Sequence, residues 1–351
     1  MKPVIVIFLS IISLAGFGHP YSKNYKDVNY IGGTDTFHNL DIYLPVVEKK
    51  SYPVVVYIYG SAWLSNNSKG ADINTIGKAL LDAGFAVVMP NHRSSRDARF
   101  PAQVHDIKAV IRFLRGNAEK YRIDPSFIGI SGSSSGGNLA AMAGVTSNIK
   151  QKTLGTKTID VEGVLGNNKS HSSSVDAVVA WFPPTNMLVM DSCGGTDFIH
   201  NDAKSPASLY IGGPIQENKE LCLLASPTSY ADAGNPPFLI FHGTNDRVVP
   251  YCQSVILHNA LQNKGAASEL HLIDGGQHGP GVHIEKNIKM MVEFFEREAA
   301  EKTGWHTHKL RNIFPEYEYS HVEIDRKLEK AYYGLMPLRA NNMLPNKISV
   351  F

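Results

Sequence analysis

The segment Gly132-Ser133-Ser134-Ser135-Gly136 centres one serine between two glycines in the spacing G-x-S-x-G. A serine hydroxyl becomes a nucleophile near neutral pH when a base takes its proton, and that base needs an orienting acid. Two later segments offer both. Asp246 closes the run Phe238-Leu239-Ile240-Phe241-His242-Gly243-Thr244-Asn245-Asp246, and His278 stands at the tip of Leu272-Ile273-Asp274-Gly275-Gly276-Gln277-His278-Gly279. The chain order Ser134, Asp246, His278 suits acyl transfer, in which a carbonyl carbon is attacked and its oxygen becomes an oxyanion. Amide donors for that oxyanion are expected from Ser135, which follows the nucleophile. Ser61 and Ala62, in the small-residue loop Tyr59-Gly60-Ser61-Ala62-Trp63, are expected to supply the others.

Competing residues fit less well. Ser131 falls in a strand, and Ser133 and Ser135 flank the turn. Asp274 ends a strand four residues before His278 and is expected to shape the turn. His242 is still within a strand, and His283 starts a helix. His306 and His308 form an H-x-H pair without a third ligand, so no metal site is expected. The chemistry requires no cofactor.

Strands that alternate with helices must position these residues. Val54 to Tyr59, Phe85 to Met89, Phe127 to Ile130, Ala177 to Trp181 and Phe238 to Phe241 are continuous apolar runs, as expected of strands covered on both faces. Leu270 to Ile273 is a shorter candidate. Pro101 opens a helical pattern whose apolar positions Val104, Ile107, Ile111 and Leu114 share one face, and Gly116 can end it. The alternation predicts an α/β fold with a mostly parallel sheet and helices on both faces. Residues 147–174 and 183–237 break the rhythm and read as loop or cap insertions.

The whole chain has 351 residues, 43% of them hydrophobic, and a net charge of +2. That excludes a disordered chain and gives no electrostatic footprint for nucleic acid. Lys2, the apolar run from Val4 to Leu14 and the small residues Ala15, Gly16 and Gly18 make a secretory signal. Residues 1–18 are therefore expected to be removed on export, to the periplasm or beyond the cell, leaving no membrane span. Residues 19–303 form the catalytic domain and 304–351 a C-terminal extension. One amphipathic segment there (Ile324, Leu328, Ala331, Leu335) reads first as a docked helix and second as a homodimer contact. Of the three cysteines, Cys222 sits in a predicted helix, Asn218 to Leu224, whereas Cys193 and Cys252 lie in loops. A Cys193–Cys252 bridge and three free thiols are both open.

Together these segments resemble the α/β-hydrolase superfamily, and within it the bacterial esterase and lipase-like proteins grouped with feruloyl and acetyl-xylan esterases. The resemblance spans about residues 35 to 300 and includes Leu40-Asp41-Ile42-Tyr43-Leu44-Pro45, Asn91-His92-Arg93, Phe100-Pro101-Ala102-Gln103 and Ile123-Asp124-Pro125. It implies an exported serine carboxylesterase in which Ser134 attacks, His278 takes the proton and Asp246 orients the imidazole. Acetyl or feruloyl esters of small alcohols or plant saccharides would be its substrates. Tyr59, Ser61 and Ala62 stand where the family usually has His-Gly-Gly in H-G-G-G-W, and Ser135 stands where Ala is common. A serine peptidase akin to prolyl oligopeptidase and an inactive binding module on the same fold are the rival readings.

Overall fold

The computed structural model describes residues 21–305. The expected signal segment, the His306/His308 pair and the amphipathic stretch at 324–335 lie outside the described residues.

Among the described residues ten strands run in chain order: β1 Lys23–Asn29, β2 Asn39–Leu44, β3 Tyr52–Ile58, β4 Ala86–Pro90, β5 Ile123–Ser133, β6 Gln151–Leu154, β7 Lys157–Asp160, β8 Ala177–Trp181, β9 Phe238–Gly243 and β10 Ser268–Ile273. Eight of them form one sheet in the order β1-β2-β4-β3-β5-β8-β9-β10. The β1–β2 and β2–β4 pairs are antiparallel, and β4 through β10 pair in parallel. This is the α/β-hydrolase fold.

Every residue of β3, β4 and β8 is buried. Because side chains alternate along a strand, β3 sends Val54, Val56 and Ile58 to one face and Val55 and Tyr57 to the other. The first face is covered by α1 (Ala102–Gly116), through Val104, Ile107, Ile111 and Leu114, and by α2 (Ser135–Val145). The second is covered by α4 (Glu285–Thr303), which contributes Met291, Phe294, Phe295 and Ala299. A fourth long helix, α3 (Cys252–Asn263), packs Leu257 and Leu261 into the first face. Each fully buried large apolar side chain removed from water contributes roughly 1.5–3 kcal/mol. The two-sided burial is why the strand runs lack polar alternation.

Two regions differ from expectation in detail. The 147–174 insertion contains the β6–β7 hairpin, antiparallel from Gln151↔Asp160 to Leu154↔Lys157. Its strands are half-exposed and polar, so no apolar run marks them. β1 is similarly half-exposed, with the sequence KNYKDVN. The 183–237 insertion holds only short helices, among them Pro206–Ile211 and Lys219–Leu224. His283 precedes α4 instead of starting it, since the helix begins at Glu285.

Candidate active site

β5 runs directly into α2 with Ser134 as the single residue between them. To turn that sharply, Ser134 adopts φ 56° and ψ −122°, a conformation that costs an L-residue about 1–3 kcal/mol. The turn also requires close backbone contact. A β-carbon on Gly136 would land on the carbonyl oxygens of Ile58 and Tyr59 at the end of β3. The strain is held by the Ser134 amide, which donates to the Trp181 carbonyl at 2.9 Å. As a result the Ser134 side chain stands clear at the carboxyl edge of the sheet.

The structure brings Ser134, His278 and Asp246 together across 144 and 32 residues of sequence. His278 Nε2 lies 2.9 Å from Ser134 Oγ, and its Nδ1 lies 2.7 Å from Asp246 Oδ2. The Asp246 side chain is fully buried. Burial alone would raise its pKa, but hydrogen bonds from His242 and His278 outweigh that and hold the carboxyl well below the usual carboxylate range. An ionised Asp246 can only accept, so His278 Nδ1 carries the proton and Nε2 presents its lone pair to the serine hydroxyl. The acid loop after β9 and the base loop after β10 are tied by the Asn245 amide, which donates to the Gly276 carbonyl at 2.9 Å.

His242 has a role that the sequence did not reveal. Its Nε2 meets the Val249 carbonyl at 2.9 Å and Asp246 Oδ2 at 3.3 Å, while its Nδ1 meets Ser254 Oγ at 2.7 Å. Since a carbonyl only accepts, Nε2 is the donor, and the ring steadies the acid. Asp246 Oδ1 meanwhile accepts the amides of Val248 and Val249 at 2.8 and 2.9 Å. A histidine four residues before an acid at a strand end is the signal that could have shown this pairing.

The neighbouring serines are spent elsewhere. Ser131 Oγ accepts from Trp181 Nε1 at 3.2 Å. Ser133 Oγ lies 2.8 Å from the Tyr57 hydroxyl and 3.1 Å from His283 Nε2, and Tyr57 donates to Asp72 at 2.8 Å. Burial pushes the His283 imidazole down to about 4, against a smaller opposing pull from Asp72. Asp274 is confined to the turn, where Thr244 Oγ1 approaches it at 3.4 Å.

The loop after β3 holds Ser61 and Ala62, the residues from which oxyanion donors are expected. A β-carbon on Gly60 would lie 3.1 Å from Ser134 Cβ, so glycine lets this loop press against the elbow. Ala62 and Trp63 both have left-handed backbones, with φ 53° and 57°. The Trp63 ring stacks on Tyr210 at 4.4 Å, and Tyr59 stacks on His92 at 5.0 Å. Ala62 and Ser135 line a pocket of about 630 Å³ that also contains Ser134. Ser61 departs from expectation. Its amide donates to Ser135 Oγ at 2.9 Å, because the hydroxyl standing where alanine is common reaches across to it.

Met190, Phe198, Ile199 and Val248 wall the pocket, with Asp197 and Lys204 also lining it. This wall is fastened to the first residue of α3, just past the acid-bearing loop, by a Cys193–Cys252 disulfide with a Cα–Cα distance of 6.3 Å. His200 Nε2 adds a bond to the Val248 carbonyl at 3.1 Å, and Arg247 pairs with Asp197. Cys222 is free and buried, and burial pushes its thiol up to about 12. Among the described residues no cluster could hold a metal ion, and no helix is long and apolar enough to cross a membrane.

Fold and site define a protein of the α/β-hydrolase fold, and the relatives it resembles are esterases and carboxylic ester hydrolases. More closely, the chain belongs to the BD-FAE family, whose pattern matches residues 40–261. It is 47% identical to a solved truncated carbohydrate esterase from gut microbiota, with a TM-score of 0.77 over 80% of this chain and 98% of that one. A bifunctional GH43-CE protein of Bacteroides eggerthii is 49% identical, with a TM-score of 0.75 over 79% of this chain and 35% of its own. Esterase LipQ of Mycobacterium tuberculosis is 27% identical over 263 residues, 74% of this chain and 58% of its own length. The chain spans little more than half the length of the first curated relatives it matches.

Proposed function

We propose that this chain is an exported serine carboxylesterase that removes acyl groups, acetyl or feruloyl in type, from carbohydrate. The observation that carries the reading is the continuous chain Ser134 Oγ–His278–Asp246, at 2.9 and 2.7 Å. As the Ser134 oxygen attacks the ester carbonyl, its proton passes to His278 Nε2. Asp246 stabilises the imidazolium that results. The carbonyl oxygen becomes an oxyanion held by the amides of Ala62 and Ser135, at the N-terminus of α2, where the helix dipole favours negative charge. His278 then protonates the departing alcohol oxygen, and water repeats the sequence on the acyl-enzyme.

Carbohydrate as the alcohol side is supported by the two relatives near 50% identity, both described as carbohydrate esterases or as GH43-CE. The apolar pocket wall suits an acyl group. Export is supported by the apolar segment after Lys2 and by the Cys193–Cys252 bridge, which persists in oxidising compartments.

The test is hydrolysis of p-nitrophenyl acetate, then of acetylated and feruloylated xylo-oligosaccharides, by the wild type and a folded Ser134→Ala variant. The wild type should turn over and the variant should fall to background. Equal activity in both would remove Ser134 from the mechanism. Activity on amides and none on esters would favour a peptidase.

A further inference from the structure

We propose that the side-chain hydroxyl of Ser135 is a third donor to the oxyanion, which makes Ser135 a catalytic residue through its side chain as well as its amide. The inference rests on the esterase reading and deepens it.

The Ser135 hydroxyl bridges the elbow and the loop after β3. Ser61 N–H points at it from 2.9 Å. Ser135 is only 1% exposed, yet it lines the pocket beside Ser134. A serine hydroxyl has one proton to give and two lone pairs to receive with. One lone pair is taken by Ser61. Its proton has no acceptor among the hydrogen bonds of the described residues.

A serine inside a helix usually returns its proton to the carbonyl four residues earlier. Ser135 is the first residue of α2, and the residue four earlier, Ser131, lies in β5 between Tyr57 and Val179 of the adjoining strands. That outlet is therefore missing. The free O–H sits one residue from the nucleophile, and the acceptor that arrives there during turnover is the substrate carbonyl oxygen. Ser61 N–H, Ser135 Oγ–H and the oxyanion then form one chain, and donation from Ser61 polarises the hydroxyl it reaches. No proton leaves Oγ; the bond strengthens as charge builds on the oxygen. The β-carbons in the 60–62 loop thus do not cost the site a donor. The Ser61 amide acts one atom removed, through Ser135.

The test compares the wild type with Ser135→Ala on p-nitrophenyl acetate, with inhibition by an aryl trifluoromethyl ketone and thermal unfolding measured alongside. The hydroxyl reading expects kcat to fall roughly 100- to 1,000-fold, as for loss of one oxyanion donor. KM should hold within about twofold, because the bond is realised mainly in the transition state. The ketone, whose adduct carries a full oxyanion, should weaken by the same factor as kcat/KM, with Tm unchanged. An unchanged kcat in Ser135→Ala overturns the proposal. A raised kcat also overturns it, and shows that the hydroxyl plugs the site. A fall in Tm with KM raised and kcat held reduces Ser135 to packing, which overturns it as well. A folded wild type without esterase activity overturns the esterase reading and this inference together.

Discussion

Asp246→Asn isolates what the buried acid does, because asparagine keeps the shape while reversing one set of hydrogen bonds. Asp246 Oδ1 holds the Val248 and Val249 amides, and Oδ2 faces His278 Nδ1 at 2.7 Å and His242 Nε2 at 3.3 Å. In asparagine the carbonyl oxygen continues to serve the two amides, so the loop is expected to keep its path. The amide nitrogen then faces both imidazoles, and it donates where the carboxylate accepted. His278 is forced to present the Nδ1 lone pair and to carry its proton on Nε2, which can no longer take the proton of Ser134. The wrong tautomer costs about 10⁴-fold in kcat, or about 5 kcal/mol of barrier. Stability should fall by only about 1–3 kcal/mol, because the asparagine nitrogen now faces the His242 Nε2–H, which keeps the Val249 carbonyl as its acceptor. Asp246→Ala should destabilise further, since it also strands the two amides. The assay is kcat on p-nitrophenyl acetate beside a denaturant melt. A folded Asp246→Asn enzyme within tenfold of wild type would refute the argument that the ionised acid fixes the tautomer.

Three further outcomes follow from the geometry. The Cys193–Cys252 bridge closes a loop with a sequence separation of 59, so replacing both cysteines with serine should destabilise the fold by about 4 kcal/mol in the chain-entropy account. KM should rise as the pocket wall loosens, which calorimetry and steady-state kinetics would show. The His283 imidazole is held near 4, below its ordinary 6.5, so between those values the unfolded chain binds the extra proton. Stability should therefore drop as pH falls from about 6.5 towards 4, and melts of His283→Asn should show a shallower slope there. Gly136→Ala drives a β-carbon onto the Ile58 and Tyr59 carbonyls. It should cost about 3 kcal/mol or more and abolish activity, and a soluble, active variant would refute the packing argument.

The strands were legible wherever a run is buried on both faces, because nothing polar interrupts Val54 to Ile58 or Ala177 to Trp181. The elbow was legible because one spacing demands both a tight turn and a free hydroxyl. The loop residues Asp246 and His278 could be read from their places just past strand ends, and the structure sets them within hydrogen-bonding distance. What escaped notice depends on side chains that meet across the fold. Nothing local to Ser61 says that its amide will be taken by a hydroxyl 74 residues away. Likewise His242 looks like a strand residue until α3 brings Ser254 to its other nitrogen. The β6–β7 hairpin escaped because two half-exposed strands carry no apolar signature.

The order of the strands has a bearing on how such a molecule wears out. The loop bearing Ala62 and the strand that ends at the nucleophile are neighbours, laddered through Ile58 and Gly132 near the middle of the sheet. His278, by contrast, follows β10, which is an edge strand and among the described residues has β9 as its sole partner. Edges fray at lower free energy than interiors. On warming, the proton acceptor should drift off while nucleophile, amides and core all stay in place, and on cooling it should return. Ageing in use then begins as a reversible pause in turnover. Reinforcing the rim of the sheet at β10 would lengthen working life more than further compaction of an interior already closed to water.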